Sequence, residues 1–223
     1  MVSILLTILF LMALGTFFIY GFFQFFTNFN PSNRKIVKDV AKLKEEISEW
    51  TSKLVPWNRE EMELLSFSQI EKKVKRGLSK SAKGIFTSIY HEPLIAYNYK
   101  QYISTGATNA LLIAHTSKHE FAYRIKKKEV FINIDNQFAG TLKENGCFYG
   151  GPKDRMIARI NKEETTAKRY PVLVGEKEVA SLVNRTLASV PNPRAFKFVS
   201  PMQAEEEKLF LSIAVLEMVT ESF

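Results

Sequence analysis

The residues best suited to chemistry in this chain are cations. Lys72, Lys73, Lys75, Arg76, Lys80 and Lys83 place six positive charges within twelve residues, relieved only by Glu71 near the start. Arg124, Lys126, Lys127 and Lys128 form a second basic cluster. Such groups are attracted to phosphate-bearing surfaces, and each contributes roughly 1 kcal/mol near an anionic bilayer. The competing readings are a solvated loop for the first cluster and, for the second, a charged strand edge that resists aggregation. Nucleic acid is the other anion to consider. No recognisable nucleic-acid-binding motif is present, so no such partner is expected.

The remaining reactive side chains do not assemble into a catalytic pattern. His115 and His119 have a metal-ligand spacing for a helix, but they straddle Thr116-Ser117-Lys118, which reads as a turn between strands. His91 precedes Glu92-Pro93 and reads as a turn residue. Cys147 lies in or near a strand with no activating neighbour, as a small buried apolar group does. As the single cysteine, it excludes an internal disulfide framework and fits a reducing compartment. Gly150-Gly151-Pro152-Lys153 lacks the strand–loop–helix context of a phosphate loop. Glu163-Glu164 sits in a polar loop and Glu205–Glu207 opens a helix, so neither is desolvated as acid–base catalysis requires. The expectation is a non-enzymatic protein with no catalytic residue, metal site or cofactor.

The elements that position the cations begin with an anchor. Residues 2–26 contain no charged side chain and would form a helix of roughly 37 Å, enough to cross a hydrocarbon core of about 30 Å. A cleaved signal peptide would carry a basic residue before a shorter apolar run, and none precedes this one. Arg34, Lys35, Lys38, Lys42 and Lys44 follow it, so the positive-inside rule puts the rest of the chain in the cytoplasm. There the sequon Asn184-Arg185-Thr186 would be inert. The formal net charge of +8 is unevenly spread. Residues 34–83 carry 13 Lys/Arg against 8 Asp/Glu, and residues 84–223 carry 18 against 15.

After a break around Pro31 and Ser32, a helix is expected over residues 33–50. Ile36, Val40, Leu43, Ile47 and Trp50 form a narrow apolar seam on it. That seam packs on its own domain or at the membrane, or it associates with a protein partner or a second copy. Asn58 and Glu61 resemble a capping box for a short helix over residues 59–65.

Beyond residue 84 the period changes to two. Ile95, Tyr97 and Tyr99 alternate with Ala96, Asn98 and Lys100, and Phe121, Tyr123 and Ile125 alternate with Ala122, Arg124 and Lys126. Turns are expected at Asp135-Asn136, Asn145-Gly146 and Gly175-Glu176. About eleven strands result, joined as an antiparallel meander. Ser200-Pro201-Met202-Gln203 reads as a helix start. The helix behind it, from Leu209 to Val219, is apolar on every side and must be buried, although it is too short to span a bilayer.

Many short strands followed by an apolar C-terminal helix resemble the tubby-like superfamily, which includes LURP-one-related proteins and phospholipid scramblases. The likeness rests on residues 84–90, 130–140 and 208–221. It implies a mainly β fold, a barrel of about 11–12 antiparallel strands enclosing the terminal helix, and a role in phosphoinositide binding or lipid movement. No acidic calcium-binding run of the scramblase kind is present, and the anchor lies at the opposite end, so scrambling is not carried over. The expected organisation is an anchor over 1–28, a helical basic connecting region over 29–83 and the barrel domain over 84–223. The expected role is a single-pass, cytoplasm-facing module contacting anionic phospholipid through the two basic clusters.

Overall fold

The apolar N-terminal run folds as one helix, α1 (Val2–Phe29), in the computed structural model, which describes residues 2–29, 31–77, 79–151, 154–162, 167–188 and 193–222. Its stretch Ile4–Phe29 is long and apolar enough to cross a membrane and is not buried against the rest of the protein. Glu163-Glu164 and Pro152-Lys153 lie outside the described residues.

Helix α2 (Asn33–Glu45) starts where expected, with the Ser32 side chain accepting a hydrogen bond from the Lys35 amide. The expected helix over 33–50 is broken. The chain turns at Glu46 and Ile47 before a single helical turn, α3 (Ser48–Thr51), and this bend buries Ile47 completely. The Asn58–Glu61 capping box is present and opens α4 (Arg59–Met62).

Twelve strands follow, each antiparallel to its neighbour in sequence. They are β1 (Leu65–Lys75), β2 (Ser81–Ser88), β3 (Pro93–Gln101), β4 (Asn109–His115), β5 (Glu120–Lys126) and β6 (Glu129–Ile134). Next come β7 (Gln137–Lys143), β8 (Cys147–Gly150), β9 (Arg155–Ile160), β10 (Arg169–Val174), β11 (Lys177–Val183) and β12 (Phe196–Phe198). The sheet curls into a nearly closed barrel. Its first strand meets the residues just before the last at a bridge between Ser66 and Arg194, beside a 2.8 Å hydrogen bond from the Ala195 amide to the Leu65 carbonyl.

The turn chemistry holds. Asp135 and Asn136 both have positive φ, as a type I′ hairpin requires. At Asn145-Gly146 the glycine has φ +78°, and a Cβ there would lie 2.2 Å from the Ile160 carbonyl oxygen, so no other residue fits.

The barrel begins earlier than the sequence implies. Residues 65–83 were expected to belong to a helical connecting region, but they form β1 and most of the first hairpin. Lysine-rich Leu65–Lys75 does not read as a strand because only its first three residues are buried. Beyond Ser66 it has no partner on its outer side among the described residues, and a charged edge suits that position.

Inside the barrel lies α5 (Ala204–Thr220), with Phe210 to Leu216, Met218 and Val219 buried. Its cap is Gln203, reciprocally bonded to Glu206, and not Ser200. Phe196 meets Phe210 edge-on at 4.9 Å between ring centres, and Tyr123 donates a 2.8 Å hydrogen bond to the Ser212 carbonyl. The wall thus gives the helix apolar contact, and the helix gives the buried Tyr123 hydroxyl the acceptor it needs.

Leu211→Asp should therefore place an unpaired carboxylate in the core and destabilise the domain by several kcal/mol. Thermal melting by circular dichroism checks this, with Val37→Asp on the exposed face of α2 expected to melt like the parent.

Candidate functional site

Antiparallel order sends every odd-numbered strand toward the same end of the barrel. The Ile103 amide, in the β3–β4 connection at that end, donates to the Asn28 carbonyl in the last turn of α1. The helix therefore departs from this α1 end. The β1–β2 turn with Arg76 and Lys80, the β5–β6 turn with Lys127 and Lys128, and Lys143 at the end of β7 share it. The N-terminus of α5 is at the opposite end, with Glu205, Glu206 and Glu207. Charge is thus segregated along the barrel axis.

Outside the barrel, α2 crosses β3 and β4. Leu43 and Ile47 pack with Tyr102, Leu111 and Ile113, flanked by Ile36, Val40 and Trp50. The apolar seam is therefore covered by its own domain. This makes β3 buried on both faces: Asn98 points outward, yet it donates to the Leu43 carbonyl and to Glu46, each at 3.1 Å.

A polar network ties the same helix down. Asp39 accepts hydrogen bonds from the Tyr102 hydroxyl at 2.7 Å and from Lys100 at 2.9 Å, with Lys35 at 3.7 Å. Burial alone would raise the Asp39 carboxyl, but these three partners outweigh it and hold it below its ordinary 3.8. Burial and the hydrogen bond to Asp39 push the Tyr102 hydroxyl well above its usual range.

Between α2 and the outer face of the first hairpin runs a groove of about 520 Å³, lined by Lys42, Lys73, Lys75, Lys83 and Lys100 with Asp39 and Glu46. Lys100 is paired with Asp39, and Lys83 lies 3.7 Å from Glu46. Lys73 and Lys75 are exposed and have no ion pair among the described residues. The groove has the chemistry of an anion site: five ammonium groups, two carboxylates and the Ser79 and Ser81 positions at its edge.

The two sequence clusters divide under this geometry. Lys73, Lys75, Arg76 and Lys80 are exposed at or near the α1 end, as are Lys126, Lys127 and Lys128. Lys72 departs from the expectation. It turns to the end of the barrel helix and donates to the Ser222 carbonyl at 3.1 Å; burial, with Arg185 and Arg76 nearby, lowers its pKa. Arg185 bonds the Glu221 carbonyl in the same way, so both cations serve carbonyls at the negative end of α5.

Arg124 is also occupied. Its guanidinium donates to the Ala110 and Ile125 carbonyls and lies over the Tyr102 ring. Lys42 and Lys100 were missed, because the docking of α2 brings Lys42 to the hairpin and the β2–β3 register sets Lys100 opposite Ser81.

The two histidines flanking the β4–β5 turn are each held by a carboxylate. His119 lies 2.8 Å from Asp135 and His115 lies 3.4 Å from Glu120, on either side of the β4–β5 turn. Burial lowers the His115 pKa despite Glu120 beside it. Asn184 of the sequon is buried and donates to the Ala167 carbonyl and the Tyr170 hydroxyl, so its amide is already in use.

Fold and charge together define a helix-filled, twelve-stranded barrel with one basic end. No protein-family model matches the chain, and no curated protein or solved structure is significantly similar to it.

Asp39→Asn keeps the shape of the side chain but leaves Lys100 without its charge partner, and should cost about 1–3 kcal/mol at neutral pH. Because the folded carboxyl titrates below 3.8, its contribution is complete above that pH and is lost as pH falls through the folded value. Melting curves of parent and variant should converge over that acidic range.

Proposed function

We propose that this protein is a single-pass membrane protein whose barrel is a non-enzymatic binding module, held against the cytoplasmic leaflet and contacting anionic lipid headgroups. The observation that carries the reading is the coincidence of the α1 exit with the basic turns at one end of the barrel. An apolar helix of this length fixes that end near the bilayer. Lys73, Lys75, Arg76 and Lys80, which have no ion pair among the described residues, are then within reach of headgroups. Arg34, Lys35 and Lys38 on the first turns of α2 support a cytoplasmic orientation.

The layout of about twelve strands around a terminal helix is the one expected of the tubby-like superfamily, and this supports membership. Self-association through residues 36–50 has less in its favour, since Leu43 and Ile47 are buried against β3 and β4.

Hydrogen exchange on the full chain in nanodiscs tests the proposal. Amides of residues 73–80 should exchange more slowly in discs containing phosphatidylserine than in pure phosphatidylcholine, and high salt should erase the difference. Lys73→Glu with Lys75→Glu and Lys80→Glu should remove it at low salt. Equal exchange in both discs would sink the reading.

A further inference from the structure

The basic end of the barrel has a second feature, separate from the outer groove. Between the C-terminal half of α5 and the wall lies a cavity of about 420 Å³, within the ~300–1,000 Å³ of small-molecule sites. It is an open cleft in which Val130, Leu142, Ile160 and Leu216 form an apolar floor beside the polar side chains of Gln101 and Thr108. Exposed Thr220 and the β5–β6 turn stand at its mouth, on the side from which α1 departs.

The rim is cationic. Lys128 is paired with Glu144 at 2.7 Å, and Lys162 is paired with Glu217. Lys127 has no ion pair among the described residues, and Lys143 has only the Tyr149 ring, 4.4 Å from its ammonium. Two lysines with no ion pair among the described residues therefore border a cleft with an apolar floor. Neither a free inorganic anion nor a neutral hydrocarbon satisfies both parts. An amphiphile with an alkyl chain and an anionic head does, its chain replacing water against leucine and isoleucine and its head meeting Lys127 and Lys143.

We infer that this cavity binds a single anionic amphiphile, such as an alkyl phosphate or a lysolipid, with the chain between α5 and the barrel wall and the head on the lysine rim. The inference rests on the reading that the α1 end faces lipid, since that orientation gives the mouth access to amphiphiles. It adds a stoichiometric site to a surface otherwise held by charge alone. Tyr99, which also lines a smaller hollow with Arg76 and Lys80, joins the mouth to the first hairpin.

The test uses the full chain in phosphatidylcholine nanodiscs and dodecyl phosphate carrying a diazirine at the chain end. Irradiation and peptide mass spectrometry should find label on Leu142, Ile160 or Leu216. Unlabelled dodecyl phosphate should compete, whereas dodecanol and inorganic phosphate should not. Thr220→Trp, a change at an exposed position, should block the mouth and abolish this labelling. Lys127→Glu with Lys143→Glu should weaken it by about tenfold or more.

Label confined to α1, or labelling unchanged in Thr220→Trp, would overturn the inference. Equal competition by inorganic phosphate or by dodecanol would do the same. The Lys73→Glu, Lys75→Glu, Lys80→Glu variant should retain the label. Cavity labelling alongside equal exchange of residues 73–80 in neutral and anionic discs would support the site while removing the headgroup reading of the hairpin.

Discussion

A helix with no polar face has to be surrounded, and the rest of this protein follows from that requirement. Helix α5 is apolar in all directions over its buried part, so packing it against one layer would leave half of it in water. A twelve-stranded antiparallel sheet curled around it removes every side at once, and the inward residues of each strand become its solvent. Phe196, Phe210 and Tyr123 are contacts of that arrangement. The carbonyls at the end of the helix still need donors, and Lys72 and Arg185 provide them from the barrel rim.

Near-closure leaves the barrel with one weak seam. β1 bridges at Ser66 to Arg194, just before β12, after which β1 runs on as a free edge among the described residues. Such an edge invites pairing with other chains, and its row of lysines counters that by repulsion and solvation. The same cations line the outer groove with Lys42 and Lys100. One set of residues thus answers a folding hazard and supplies the proposed contact with anionic lipid. Those two roles are compatible because both need the charges exposed and unpaired.

Helix α2 joins the apolar helix to the barrel. Its apolar seam covers the outer face of β3 and β4, and the buried Asp39 bonds Tyr102 and Lys100 on the barrel side. A carboxylate in that position is stable only because three partners offset its desolvation.

Local patterns were legible in the sequence because they depend on neighbours along the chain. Alternation at Phe121, Tyr123 and Ile125, the turns at Asp135-Asn136 and Asn145-Gly146, the all-apolar C-terminal run and the Asn58–Glu61 box each follow from side-chain period or backbone freedom. Leu65–Lys75 was not legible as a strand, because lysines at a sheet edge carry no buried face to alternate with. The site was legible only in part. Sequence density pointed to Lys72–Lys83 and Arg124–Lys128, but register turned Lys72 and Arg124 to internal carbonyls. It was α2 docking that brought Lys42 into the groove, and β2–β3 register that brought Lys100. Which cations stay free is decided by partners tens of residues away, and those distances are set by strand pairing and helix packing, which no local pattern encodes.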